Sequence, residues 1–239
     1  MSTVKVIEVH ESVFSSNDKT AALLREKLSE QKVFMLNVMS SPGSGKTTLL
    51  SKAINMLKDE YKIGVMDVDI ESSLDAQKVA DATGVPSIQI HNGGLCHIDA
   101  EMTEKAIEEF EKVLKDDAKS NSIADFDILF LENIGNLVCP AEFDTGAHRS
   151  MMILSVPEGD DKPLKYPLMF SVCDLVVISK TDTMKFFDFN EKRAIENIKR
   201  LNPKADILFV SAKTGEGMNE FCEWIRANST NPRNICKCE

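Results

Sequence analysis

The segment Ser40-Ser41-Pro42-Gly43-Ser44-Gly45-Lys46-Thr47-Thr48 holds the residue types best suited to bind a phosphate chain. It follows the apolar run Val33-Phe34-Met35-Leu36-Asn37-Val38-Met39 and opens a helix-like pattern that continues to Leu57, the strand, loop and helix setting of a P-loop. A loop rich in Gly and Ser aims several backbone N–H groups at one anion, and the helix behind it adds the positive end of its dipole. Gly43, Ser44, Gly45 and Thr48 then line the cradle, Lys46 reaches the β- and γ-phosphates, and the Thr47 hydroxyl ligates Mg²⁺. The pattern G-x-x-x-x-G-K-[ST] begins on Gly where this chain has Ser40. The chain must turn there without a positive φ, so Ser40 is expected in ordinary β-region backbone.

A second signal concerns the base. Apolar Leu175-Val176-Val177-Ile178 runs into Ser179-Lys180-Thr181-Asp182. A carboxylate at a strand end accepts from the N1–H and N2–H₂ of guanine, whereas adenine would confront it with the acceptor N1. Asp182 therefore selects GTP, the Lys180 stem stacks along the base, and Ser179 stands where the [N/T]-K-x-D motif has Asn or Thr. Phe209-Val210-Ser211-Ala212-Lys213-Thr214-Gly215 repeats the strand-to-loop pattern and resembles the SAK loop. There the backbone at Ser211, Ala212 and Lys213 meets guanine O6.

Phe130-Leu131-Glu132-Asn133-Ile134-Gly135 resembles the ExxG switch II of the GTPase class that includes signal-recognition and metallocentre-assembly proteins. Glu132 would hold Mg²⁺ or its water, and the Gly135 N–H would meet the γ-phosphate. Asp69 and Asp75 follow the second strand, and one of them completes the Mg²⁺ shell or orients the attacking water. Asp75 also reads as an N-capping acid. The candidate catalytic set is thus Lys46, Asp69, Asp75 and Glu132. A different chemistry is offered by Gly93-Gly94-Leu95-Cys96-His97 and Asn136-Leu137-Val138-Cys139-Pro140. Cys96, His97 and Cys139 are three soft or borderline donors suited to Zn²⁺ or Ni²⁺. A Cys-His pair alone is more often core packing, but Cys139 lies four residues after Gly135, on the segment that should sense γ-phosphate.

These residues need a scaffold. Apolar runs at 62–68, 85–90, 127–132, 151–155, 174–179 and 206–210 alternate with amphipathic stretches at 72–83, 99–115, 190–200 and 216–228. The strands are too apolar to be half-exposed, which predicts an α/β P-loop NTPase with a mostly parallel sheet covered by helices on both faces. Residues 1–31 read as a helical extension, helical over 17–28 with Asn17 or Asp18 as N-cap. Residues 32–228 read as the GTPase domain, 156–169 as a long surface connection and 229–239 as a loose tail. A net charge of −10 without a Lys/Arg block argues against nucleic acid or an anionic membrane as partner. Apolar runs of strand length and the absence of a signal-peptide core predict a cytoplasmic protein. The six Cys are then core residues or ligands rather than disulfides, with Cys173 and Cys222 in the core. His148 reads as a solvated helix residue or, less favoured, as support for the metal ligands; His10 and His91 have no local constellation. In the loop 183–189, Phe186, Phe187 and Phe189 form a homodimer contact or fold back into the core.

The ordered set SSPGSGKTT, GGLCHIDA, LENIGNLVCPAEFD, SVPEGDDKPLKYP and VISKTD resembles the HypB family, the nickel-insertion GTPases of hydrogenase maturation, over roughly residues 30–225. The resemblance implies a GTP-dependent homodimer that handles nickel for [NiFe]-hydrogenase together with a partner metallochaperone and the hydrogenase large-subunit precursor. It also implies that Cys96, His97 and Cys139 match the family's metal site in the G domain. Many members carry an N-terminal CxxCGC or His-rich tract, whereas residues 1–30 here contain no Cys and only His10, so nickel storage is not expected. Cys236 and Cys238 form an auxiliary soft site or a frayed end. A urease-type accessory GTPase would present Cys-Pro-His; here Cys139-Pro140 is followed by Ala141. A guanine-nucleotide switch with purely structural Cys and His residues is the alternative from another class.

Overall fold

The computed structural model describes residues 10–68, 74–116 and 122–229. Its strands are β1 (Phe34–Ser40), β2 (Ile63–Val68), β3 (Ser87–Ile90), β4 (Ile128–Gly135), β5 (Arg149–Ser155), β6 (Leu175–Ser179) and β7 (Asp206–Val210). They form one parallel sheet in the order β3-β2-β4-β1-β5-β6-β7. The unbroken apolar runs become β1, β4 and β6 in the interior, buried on both faces, while β3 and β7 are half-buried edges.

Alternation along β1 divides the core. Leu36 and Val38 join a cluster with Leu49, Leu50, Ile54 and Leu57 of α2 (Lys46–Leu57) and with Phe221 and Ile225 of α8 (Met218–Asn228). Met35 faces the opposite side, among Leu24 and Leu28 of α1 (His10–Glu30) and Phe110 and Leu114 of α4 (Ala100–Asp116). Three further helices, α5 (Lys162–Lys165), α6 (Pro167–Ser171) and α7 (Glu191–Leu201), cover the β5–β7 end of the sheet, and α3 (Leu74–Thr83) packs against α2. Strand order runs outward in opposite directions from β1, so the crevice at its carboxyl end is where such a sheet binds ligands. Ser40 ends β1 there with the expected extended backbone and no positive φ.

Three expectations need correction. Residues 156–169 are not a plain surface connection: a 3₁₀ turn at Val156–Glu158 leads into α5 and α6, with Val156, Asp160 and Met169 buried. Asn17 and Asp18 are not N-caps, because α1 starts at His10. His148 is not a solvated helix residue, and both of its ring nitrogens are engaged away from the candidate metal ligands. It sits just before β5, accepts at Nδ1 from the Met35 N–H (3.1 Å), and its Nε2 lies 2.9 Å from Ser29 Oγ. The Met35 N–H can only donate, so the neutral ring donates from Nε2; Ser29 Oγ in turn donates to the Arg25 carbonyl at 2.7 Å. His148 thereby latches the end of α1 to β1.

Burial first, then the charges of Arg25 and Arg149, lower the His148 pKa below 6.5. A His with a depressed folded-state pKa contributes stability that is intact above its unfolded value and is lost as pH falls from about 6.5 toward the folded value. The thermal midpoint should therefore drop between pH 7 and pH 5.5 more steeply in the wild type than in His148→Asn. Equal slopes in differential scanning fluorimetry would contradict the latch.

Candidate nucleotide and metal site

The loop after β1 turns on Gly43 (φ 73°) and Gly45 (φ 98°), left-handed conformations that a side chain would strain. Its floor is polar and fully engaged. Ser44 Oγ and Lys46 Nζ both donate to Ser40 Oγ, at 2.7 and 2.9 Å, and Ser40 Oγ donates to the Ser41 carbonyl. Ser40, in the first-Gly position of the motif, thus replaces conformational freedom with a hydroxyl that holds the lysine. Gly43, Ser44, Gly45, Lys46, Thr47 and Thr48 line a cleft of about 540 Å³ with Ser51, Lys78, Ala82, Glu132 and Lys180.

Beside this cleft Thr47 Oγ1 donates to Glu132 Oε1 at 3.0 Å. A hydroxyl and a carboxylate at one point are hard oxygen donors of the kind Mg²⁺ takes. Asp67, buried on β2, is the register partner of Glu132 on β4 and adds a second carboxylate to that strand end. Asp69 and the Asp75 side chain lie outside the described residues, as do Cys236 and Cys238. The switch follows directly. A Cβ at Gly135 would stand 3.1 Å from the Pro42 backbone, so the absence of a side chain lets the end of β4 lie against the P-loop.

The base-side loops also converge. Lys180 adopts a left-handed backbone (φ 59°) and its Nζ donates to the Gly43 carbonyl at 2.6 Å, so its stem crosses the P-loop. Ser179 Oγ donates to the Ser44 carbonyl at 2.9 Å, linking the base motif to the phosphate loop with a hydroxyl. Asp182 Oδ1 accepts from Ser211 Oγ at 2.7 Å, and Lys213 Nζ lies 3.9 Å from Oδ2. Ser211, Ala212 and Lys213 are therefore beside Asp182 as the two motifs require.

Beyond Gly135 in the chain lies Cys139, and this neighbouring thiol is the main cause raising the Cys96 pKa. Cys96 Sγ is 3.9 Å from His97 Nδ1, but the imidazole stacks flat on Phe143, ring centroids 3.9 Å apart. Among the described residues no three His, Cys, Asp or Glu side chains stand ready around one point. Cys139 neighbours Cys96, while the His97 ring is held against Phe143. Asn136 Nδ2 donates to the Cys96 carbonyl at 3.3 Å, and Asn136 Oδ1 accepts from the Val138 N–H. Cys173 and Cys222 are buried core thiols, the latter with its pKa raised to about 11 by burial.

Sequence reading overlooked several of these residues. Glu158 accepts from Ser41 Oγ of the P-loop and from Ser155 N–H and Oγ; Ser155-Val156-Pro157-Glu158 carries the capping-box spacing that could have disclosed it. Lys78, Asn136 and Phe143 gave no local signal, because only tertiary contact gives them a role.

A glycine-bearing phosphate loop at the switch point of a parallel sheet, with a base motif and a switch around it, defines a P-loop nucleotide-binding protein. The family model described as CobW/HypB/UreG, nucleotide-binding domain, matches residues 34–209. Hydrogenase maturation factor HypB of Rhizobium leguminosarum bv. viciae is 44% identical over 229 residues, spanning 96% of this chain and 73% of that protein. Hydrogenase/urease maturation factor HypB of Helicobacter hepaticus is 40% identical over 94% of this chain and 90% of its own. The crystal structure of HypB from Helicobacter pylori in complex with nickel superimposes with a TM-score of 0.80 at 38% identity, covering 90% of this chain and 95% of that one. The chain belongs to the HypB family of hydrogenase maturation factors. Among its described residues no helix is long and apolar enough to cross a membrane.

Proposed function

We propose that this chain hydrolyses GTP and carries nickel as cargo for hydrogenase maturation, the nucleotide state setting how tightly the metal is held. The observation that carries this reading is physical continuity: Gly135 lies against the P-loop, and the next residue, Asn136, is bonded to the loop of Cys96. Lys46, with Lys78 across the cleft, offsets the charge of the phosphates. Mg²⁺, held by Thr47 and Glu132, would supply further charge compensation when bound; Asp69, Asp75 or Asp67 stands next in sequence or register to orient water. Cys96 and Cys139 supply two thiolates to nickel, and His97 a third donor once it swings from Phe143. The name of the Helicobacter pylori structure, HypB in complex with nickel, favours nickel over zinc as the cargo.

The test is direct. Nickel added to the purified protein should produce sulfur-to-nickel charge-transfer absorption that Cys96→Ser and Cys139→Ser each remove, while GTP hydrolysis survives in both. Nickel absorption untouched by either substitution would overturn the assignment.

The homodimer belongs to the same proposal. Phe186 is 72% exposed and Phe187 45%, whereas Phe189 and Met184 fold back onto the core. The dimer contact expected of this loop therefore narrows to Phe186 and Phe187, large apolar rings whose exposure is costly in a monomer. In analytical ultracentrifugation with a GTP analogue, Phe186→Ala combined with Phe187→Ala should weaken self-association about tenfold, the scale of one lost aromatic contact. An unchanged dimerisation constant would remove this surface from the account.

A further inference from the structure

One side chain of α1 joins the two segments that carry the sulfurs. Asn17 Oδ1 accepts from the Ala100 N–H at 3.0 Å, and Asn17 Nδ2 donates to the Asp144 carbonyl at 2.9 Å. Ala100 is the first residue of α4, three positions after His97; Asp144 follows Phe143, the ring on which His97 stacks, and lies five positions after Cys139. Asn136 already ties the two loops on the switch side of the sulfurs. Asn17 ties them on the opposite side, so the two loops are joined at both ends.

The rest of α1 anchors that amide. Arg25 makes a forked ion pair with Asp144, at 2.6 and 2.7 Å, and donates from Nε to the Ala147 carbonyl at 2.8 Å. Leu24 and Leu28 are buried with Ile98, Ile107 and Phe110, on the α4 side. Asn is a poor residue for a helix interior because its side chain competes for backbone groups. Here both halves of the amide are engaged outside its own helix, which is a tertiary role rather than a local one. We infer that Asn17 is a positioning residue of the metal site, fixing the separation between the Cys96-His97 loop and the Cys139 loop. This rests on the reading of Cys96, His97 and Cys139 as nickel donors.

The chemistry of an amide is what the bridge needs: one acceptor for an unpaired helix N-terminal N–H and one donor for a carbonyl. Asp keeps the acceptor at the head of α4 but cannot donate to Asp144, so it separates capping from bridging. Nickel should be titrated into the full-length wild type, Asn17→Ala and Asn17→Asp, following the thiolate absorption. Both variants should bind nickel about tenfold more weakly than wild type, the usual cost of losing a group that orients ligands, with altered band intensity and unchanged affinity for GTP. Asn17→Asp should lose affinity even with a wild-type thermal midpoint. Wild-type nickel affinity in Asn17→Asp would reduce Asn17 to a helix cap and overturn the inference, and it stands as the deciding variant if Asn17→Ala fails to fold. Nickel binding in the wild type that Cys139→Ser leaves intact would instead overturn the ligand reading on which the inference rests.

Discussion

Asp182→Asn is expected to abolish a preference for GTP over ATP of about 10⁴ and to make xanthosine triphosphate the favoured ligand. That size is typical of a site built around a hydrogen bond that the competitor cannot make. The Asp182 carboxylate is held by Ser211 Oγ at 2.7 Å and faced by Lys213 at 3.9 Å, so it cannot swing away from a mismatched base without losing the bond to Ser211. Guanine brings two donors to such a carboxylate. Adenine brings the lone pair of N1, leaving acceptor against acceptor. An Asn at this position offers one donor and one acceptor, which suits N1–H and O2 of xanthine. Displacement of a fluorescent GDP analogue by GTP, ATP and xanthosine triphosphate gives the three affinities. Wild-type affinities for ATP and GTP within tenfold of each other would contradict the base assignment.

The nucleotide half of the site was legible in the chain because its motifs are contiguous. In SSPGSGKTT the backbone turn, the lysine and the hydroxyl are neighbours in sequence, and the same holds for Ser179 to Asp182. Burial on both faces likewise made β1, β4 and β6 readable as unbroken apolar runs. What escaped depends on contacts between distant segments. Asn17 looked like a helix cap because Asn before an apolar pattern usually is one; only the packing of α1 on α4 turns its amide outward to Ala100 and Asp144. His148 looked solvated because nothing local reveals Ser29 and Met35 beside it. The connection 156–169 was misread for a different reason. Its three prolines suggested a loop, yet each lies at the first or second position of a short helical segment, where no N–H donor is needed.

The metal half was visible as residue types but not as geometry. Cys139 neighbours Cys96, whereas the His97 ring lies flat on Phe143. That arrangement gives the nucleotide something to change. In the proposed coupling the γ-phosphate would enter where Gly135 lies against Pro42, and a displacement there would carry Asn136, the carbonyl of Cys96 and the Cys139 thiol with it. Metal–thiolate bonds have a narrow length, near 2.3 Å for zinc, so a shift of about an ångström cannot be absorbed without changing affinity. Coupling energies between sites of this kind are about 1–3 kcal/mol, which is a factor of roughly 5 to 150 in nickel affinity.

The deciding measurement is the nickel dissociation constant of one preparation loaded with GDP and with a non-hydrolysable GTP analogue, at one pH because thiolate ligation releases protons. The two constants should differ by at least about fivefold, nickel should alter nucleotide affinity by the same factor, and Cys139→Ala should erase the difference while GTP still binds. Equal nickel affinity in the two nucleotide states would contradict the account and leave a GTPase whose metal site is indifferent to its nucleotide.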